Sequence, residues 1–245
     1  KEAERIGPNL LEIHEYVESR KISYEIVVVV DGSPDNTADI VRGYGEQIPH
    51  LRVLDNPQNH GKGYCVRQGL LDAKGEIRVF LDADGSTAIT HMDKAFTLLQ
   101  NGADVVVGSR DIAGAYIQVH QPRHRELMGT MGNWLIRIVL GLWKYPDTQC
   151  GFKALRAQAA DAIASRMVVD RFGFDFELIA LAHKLGFSVV QMPVRWLNEE
   201  GSTVGLTGPN GFIQVLIDLF KTRLRLWGGK YKIDVYKKNH KKINT

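Results

Sequence analysis

Short runs rich in Val and Ile alternate along the chain with longer stretches whose apolar residues recur every three to four positions, a pattern that predicts a largely parallel sheet covered by helices. Residues 24–30 form the strongest predicted strand. They run into a turn cluster, Asp31-Gly32-Ser33-Pro34-Asp35-Asn36-Thr37, with a helix over 38–44. A second strand over 51–54, a helix from the Gly-rich turn at 59–63 to residue 73, and strands over 77–81 and 103–107 continue the alternation. It loosens over 111–125, a stretch too long and too polar for a simple connection. Beyond it the pattern predicts a helix over 127–142, a strand over 151–155, a helix over 174–185, a strand over 188–194 and a helix over 211–226. No internal repeat or low-complexity linker interrupts it, so one α/β domain is expected over 1–210, followed by a basic amphipathic helix and tail over 211–245. The chain opens on a helical stretch, 9–19, where such sheets usually open on a strand; the first strand is therefore expected to be missing from this chain.

Composition narrows the class. With 44% hydrophobic residues among 245 and only two cysteines, the chain is neither disordered nor a disulfide scaffold. Cys65 and Cys150 have no metal-type neighbours and read as plain thiols of a reducing compartment. No apolar run approaches the ~20 residues needed to span a bilayer. The net charge of +3 conceals an asymmetry: from Asp218 onward nine Lys and Arg face two Asp, a net of +7, which leaves −4 on the rest.

Candidate chemistry gathers at predicted strand ends. Asp82-Ala83-Asp84 follows a strand directly, where open α/β sheets place ligands, and carboxylates at i and i+2 can converge on a hard divalent cation and through it on a diphosphate. A solvated turn is the alternative. Asp31 and Ser33 end a neighbouring strand; Asp31 can accept the ring N–H of uracil or guanine and Ser33 can meet a ribose, or both can simply cap the next helix. Gly61-Lys62-Gly63 lacks the spacing of a phosphate-binding loop, although Lys62 can approach a phosphate near a helix start. Arg110, Arg123 and Arg125, with His120 and His124 between, bracket the long loop and suit an anionic second substrate, or a solvated basic loop. Asp175 and Glu177 lie among apolar residues, where a carboxylate needs a partner; either is a base candidate or the mate of a buried cation.

In that order Asp31-Gly32-Ser33-x-Asp35-x-Thr37, Gly61-Lys62-Gly63, Leu81-Asp82-Ala83-Asp84-Gly85-Ser86, Gly108-Ser109-Arg110, Asp147-Thr148-Gln149-Cys150-Gly151-Phe152-Lys153 and Phe174-Asp175-Phe176-Glu177 resemble the family 2 inverting glycosyltransferases of the GT-A fold, in particular the dolichyl-phosphate β-glucosyltransferase type, with polyprenyl-phosphate mannose synthases nearby. The resemblance runs from about residue 2 to about residue 203. It implies a Rossmann-like α/β fold, a nucleotide diphosphate sugar, UDP-glucose, as donor, and Mg²⁺ or Mn²⁺ as cofactor. It implies that Asp31 meets the base, with Glu2, Ser33, Lys62, Ala83, Gln149 and Ser202 also on the donor. Asp82 and Asp84 would serve ribose, diphosphate and metal, with Ser86 near the metal. Arg110 and Arg125 match the family's acceptor-phosphate arginines. Three positions depart from it: the opening Pro-x-Tyr-Asn-Glu segment is absent except for Glu2, Val30 replaces the first Asp of Asp-Asp-Gly-Ser, and Thr203 stands where Lys is frequent.

The reaction so implied moves a hexose onto a polyprenyl or dolichyl phosphate with inversion. A phosphate monoester, with a second pKa near ~6, is already anionic at neutral pH, so no general base is required. A saccharide acceptor would need one, with Asp175 or Glu177 as candidates. Transfer from GDP-mannose, a nucleotidyltransferase and a binding module with a decayed site are the competing readings; no nucleic-acid partner is expected. A lipid acceptor calls for a peripheral enzyme on the cytoplasmic face of a membrane, and the helix bearing Phe212, Leu216, Leu219, Phe220, Leu224 and Trp227 among Lys221, Arg223 and Arg225 suits headgroups, or a core-packed helix with a solvated tail.

Overall fold

The computed structural model describes residues 2–118, 123–197 and 209–231, with the backbone alone at 123–128 and 209–210. The first half runs α1 (Ile6–Ser19), β1 (Ile26–Asp31), α2 (Thr37–Gly43), β2 (Leu51–Asn56), α3 (Lys62–Asp72), β3 (Ile77–Leu81), α4 (Met92–Gln100) and β4 (Val105–Ser109). The second runs β5 (Tyr116–Ile117), α5 (Arg123–Leu140), β6 (Phe152–Arg156), α6 (Ala157–Ala164), α7 (Phe174–Lys184), β7 (Val189–Pro193), β8 (Arg195–Trp196) and α8 (Pro209–Trp227).

β1 and β2 form a parallel pair, and β3-β6-β4-β7 form a four-stranded sheet. Among the described residues no ladder joins the two; α3 packs against both β1 and β3. The parallel expectation holds for β1–β2, β4–β7 and β5–β8, and is corrected at β6, which runs antiparallel to β3 and β4. That reversal shapes the site. Leu81, the last residue of β3, pairs with Phe152, the first of β6, so Asp82 emerges opposite Gly151 at one sheet edge.

Two helices escape the sequence pattern. α6 is Ala-rich with five of its eight residues buried, so it carries no polar stripe to mark a period. α4 buries Met92, Ala95 and Leu99 on one face, but at nine residues it is short enough to read as a connection. A third correction concerns 111–125. β5 lies inside it and α5 begins at Arg123, directly after Pro122, so Arg123 and Arg125 sit on the first turns of a helix and not in a loop.

One face of the larger sheet is covered by α5, α6, α7 and α8, with Leu155, Phe174 and Phe176 fully buried; each such side chain contributes about 1.5–3 kcal/mol of burial free energy. On the other face Val106, Phe152 and Met192 pack with Ala95 and Leu99 of α4 and with Tyr16 and Val17 of α1. Ile6 and Leu10 of α1 cluster with Val41 of α2 and Ile48 against the β1–β2 pair. Cys65 and Cys150 are unpaired, and burial pushes their thiols up to about 12 and about 11, away from nucleophilic character.

Candidate active site

The C-terminal ends of β1, β3 and β4 and the start of β6 carry most of the residues the sequence singles out. At the end of β1, both carboxylate oxygens of Asp31 accept backbone N–H bonds, from His60 at 2.8 Å and Gly61 at 2.7 Å, while Asn59 Nδ2 donates to its carbonyl at 3.2 Å. Asp31 thus organises the 59–61 turn, with the Cys65 thiol as a further partner of its carboxylate. Gly32 adopts φ +57, and a Cβ there would lie 2.5 Å from the backbone of Gln58, which accounts for the glycine. Ser33 faces away from this exchange. Its Oγ donates to Asp35 Oδ1 at 2.7 Å, which also accepts the Thr37 N–H at 3.2 Å, so Asp35, and neither Asp31 nor Ser33, caps α2. Glu2 pairs with Arg5 at 2.8 Å and its N–H reaches Thr37 Oγ1 at 3.3 Å, which puts it behind the same turn.

Lys62 opens α3 and swings its Nζ to 2.6 Å from Asp82 Oδ1, an oxygen with no aligned hydrogen bond. The other oxygen, Oδ2, would lie 2.1 Å from a Cβ at Gly151, so only glycine leaves room for the carboxylate. Behind them Lys153, 1% exposed, is bonded to Asp175 and donates to the Cys150 carbonyl at 2.8 Å. Two ion pairs, the half-exposed Lys62–Asp82 and the buried Lys153–Asp175, are therefore neighbours. Phe80 lies between the two ammonium groups, 5.6 Å from Lys62 Nζ and 5.9 Å from Lys153 Nζ. Burial alone would lower Lys62, but Asp82, then Asp175 and Asp84, raise it above its ordinary range. Burial pushes Asp175 up against the opposing pull of Lys153 and Lys62. Asp84 accepts the Ser86 N–H on Oδ1 at 3.0 Å; the Ser86 backbone, not its hydroxyl, makes this bond. The carbonyl of Ala83 accepts from Asn9 Nδ2 at 3.3 Å.

Whether a divalent cation suits this edge can be judged from its donors. Among the described residues no three His, Cys, Asp or Glu converge. The Asp82 carboxylate, shared with Lys62, and the second oxygen of Asp84 offer hard oxygen ligands at i and i+2, which fits an ion such as Mg²⁺ that keeps water and takes its remaining ligands from substrate phosphate.

Arg110 follows β4 and has an internal partner the sequence did not suggest. Its Nε and Nη2 make a bidentate pair with Asp147 at 2.8 and 2.9 Å, its own N–H adds a third bond at 3.0 Å, and the guanidinium lies 5.4 Å from the Trp196 ring centroid. Burial works to raise the Asp147 carboxyl, yet Arg110 holds it below the usual carboxylate range. Asp147 Oδ1 also accepts the Gln149 N–H at 3.1 Å, so the pair shapes the loop leading to Gly151. Arg125 lies on α5, described by backbone alone; Ser202, His120 and Thr203 fall outside the described residues. Glu177 is corrected as a base candidate: its buried carboxylate is occupied by the Val168 and Val169 amides and by Tyr231. Lys153, Gly151 and Asp147 lie in a segment that the resemblance includes, but the sequence assigned none of them a role. All three lie within 147–153, and the motif resemblance of that segment was the available signal.

The chain matches the family model described as glycosyl transferase family 2 over residues 2–164. It is 36% identical over 248 residues to a dolichyl-phosphate beta-glucosyltransferase, ALG5C, of Trichomonas vaginalis, covering 95% of this chain and 72% of that protein. The Homo sapiens dolichyl-phosphate beta-glucosyltransferase is 29% identical over 253 residues, covering 97% and 76%. In fold the chain is similar to glucosyl-3-phosphoglycerate synthase from Mycobacterium tuberculosis in complex with Mg²⁺ and UDP, with a TM-score of 0.66 at 18% identity over 91% of this chain and 75% of that one. Mannosyl-3-phosphoglycerate synthase from Rubrobacter xylanophilus gives 0.65 at 18% identity, covering 97% and 74%. With the family model spanning well over half its length and the strand-end carboxylates in the order that family uses, the chain belongs to glycosyl transferase family 2 and has the GT-A fold.

Proposed function

We propose that the protein transfers glucose from UDP-glucose to dolichyl phosphate at a membrane surface, with inversion at the anomeric carbon. The observation that carries this is the Lys62–Asp82 pair beside Asp84 at the end of β3, together with relatives named for that reaction. Asp31 and its turn would hold the base, and Asp82 and Asp84 would hold Mg²⁺ or Mn²⁺. Bound there, the cation supplies Lewis-acid stabilisation of the departing nucleoside diphosphate. Lys62 Nζ rests on Asp82 and keeps further N–H groups for a diphosphate, so part of the charge that meets the leaving group is already in place. Arg125 on the first turns of α5 would align the acceptor phosphate. Arg110, engaged with Asp147, would position the loop before Gly151 and keep only its remaining N–H groups for phosphate. Asp175, locked to Lys153, would not serve as base; the acceptor brings its own anion.

A donor screen with a short-chain polyprenyl phosphate tests the reading. UDP-glucose should give a glucosyl phospholipid identified by mass, and GDP-mannose should give at least about tenfold less product, as expected where a site bonds one base and leaves groups unpaired with another. Arg125→Ala should raise the acceptor KM about tenfold or more while UDP-glucose KM stays within twofold, the loss expected for one charge-assisted phosphate contact. Undiminished acceptor use in that variant would remove the arginine from the acceptor site.

The membrane part of the reading rests on exposed apolar surface. Met131, Trp134 and Ile138 of α5, Trp143 just after it, and Ile213, Ile217, Phe220, Leu224 and Trp227 of α8 are all at least 40% exposed, and α5 packs against α8. Arg137 lies 5.0 Å over the Trp134 ring, and Trp134 meets Trp143 edge on. The one acidic residue of α8, Asp218, is buried, so the cations Lys221, Arg223 and Arg225 face no exposed carboxylate on their own helix. Such a face suits anionic headgroups. Trp134→Ser together with Trp227→Ser should cut co-sedimentation with phosphatidylserine vesicles about tenfold or more, each buried indole being worth one to two kcal/mol or so. No helix among the described residues is long and apolar enough to cross a membrane.

A further inference from the structure

Glu177 is fully buried on α7, two residues beyond Asp175, and a carboxylate in that setting must be bound on all sides to persist. Its partners are backbone and phenol. The Val168 N–H donates at 3.1 Å, the Val169 N–H at 3.0 Å and the Tyr231 hydroxyl at 2.7 Å. The carboxylate therefore sets the backbone of the loop between α6 and α7, and Tyr231, buried just after α8, is its third partner.

That loop is in hard contact with the donor turn. The Asp170 carbonyl accepts the Tyr64 N–H at 3.0 Å, and Arg67 pairs with Asp170 at 2.9 Å while donating to the Met167 carbonyl at 3.1 Å. A Cβ at Gly61 would lie 2.5 Å from the Asp170 carbonyl oxygen, and one at Gly63 would lie 2.2 Å from that of Val169. Backbone lies flush on backbone. A shift of the loop by a few tenths of an ångström must pass into the turn, because close-packed interiors have no slack to absorb it. The turn in its own right supplies the two amides on Asp31 and carries Lys62 to Asp82.

We propose that Glu177 is a positioning residue for the donor side of the reaction, fixing the Gly61–Gly63 turn through residues 168–170, with Tyr231 holding the carboxylate in register. The inference rests on the reading that this turn meets the nucleotide sugar. Glu177→Gln removes the charge that the two loop amides and the phenol meet, and its NH₂ group can face the phenol only if that bond reverses direction, with the Tyr231 hydroxyl accepting. It should raise the UDP-glucose KM about tenfold, with kcat and the acceptor KM within about twofold, in line with one or two lost bonds to a charged acceptor. Tyr231→Phe keeps both amide bonds and should give the same pattern at about threefold.

UDP binding by isothermal titration on the full chain gives a second readout, compared with Leu99→Val in the separate core beneath α4 as a control for general destabilisation. A donor KM and UDP affinity unchanged in both Glu177→Gln and Tyr231→Phe would overturn the proposal. So would losses in kcat and both KM values that merely follow the fall in Tm, as in the control. Failure of the underlying reading looks different: Asp31→Ala would then leave UDP affinity untouched, whatever Glu177→Gln does.

Discussion

Asp84→Asn is expected to lower glucosyl transfer by about a hundredfold to a thousandfold while leaving the fold intact, the size of effect seen when one preorganised charge facing a developing anion is removed. The substitution is chosen for what it keeps. Asp84 Oδ1 accepts the Ser86 N–H at 3.0 Å, and an asparagine oxygen can accept the same bond, so the 82–86 turn need not move. What disappears is a negative charge at i+2 from Asp82. With Asp82 already shared with Lys62 at 2.6 Å, the edge then carries too little charge to hold a divalent cation against water. The expected signature is a Mn²⁺ titration displaced to higher concentration together with a depressed kcat, measured with radiolabelled UDP-glucose and a polyprenyl phosphate. Transfer within threefold of the parent at every Mn²⁺ concentration would show that Asp84 is a solvated turn residue.

The parts of this site that the sequence displays are those with local signatures. β3 is bounded in the pattern at residues 77–81 as in the structure, because an apolar run ends abruptly in Asp82-Ala83-Asp84. β1 begins two residues later than the Val-rich run suggests, since Tyr24 and Glu25 are drawn into contacts with His50, Arg52 and the turn at 74–75. The direction of β6 is not local information. A five-residue strand reads the same parallel or antiparallel, and its reversal emerges only from its pairing with β3 and β4. That pairing sets Gly151 against Asp82, so the requirement for glycine at 151 was invisible in sequence. Arg110 shows the same limit from another side. Its type and place at the end of β4 suggest an anion, and the anion it holds is Asp147 of its own chain, thirty-seven positions away. Long-range partners of charged residues are what a periodicity cannot report.

The buried pair Lys153–Asp175 is expected to give the largest stability effect in the molecule. Lys153→Met removes the cation bonded to Asp175 and should destabilise the fold by about 3–5 kcal/mol near neutral pH, read as a lower urea midpoint at unchanged slope, because a buried charge loses its partner. The cost should shrink in acid, and the sign follows from the titration. Burial already raises the Asp175 carboxyl above its unfolded value, and loss of Lys153 raises it further. A group whose folded pKa exceeds its unfolded one binds more protons in the native state, so stability falls as pH rises through the folded pKa and is regained below it. Pairing Lys153→Met with Asp175→Leu should restore stability to within about 1 kcal/mol of the parent, since an apolar pair of similar volume avoids the desolvation penalty altogether. Activity should not return with it. Asp175 is among the carboxylates whose charge acts on Lys62 and raises it above its ordinary range, and Lys62 is the cation resting on Asp82. A double variant that regains both its urea midpoint and full glucosyl transfer would show that the pair supports only the core; one that regains the midpoint with transfer still reduced about tenfold or more would tie the buried charge to the donor edge.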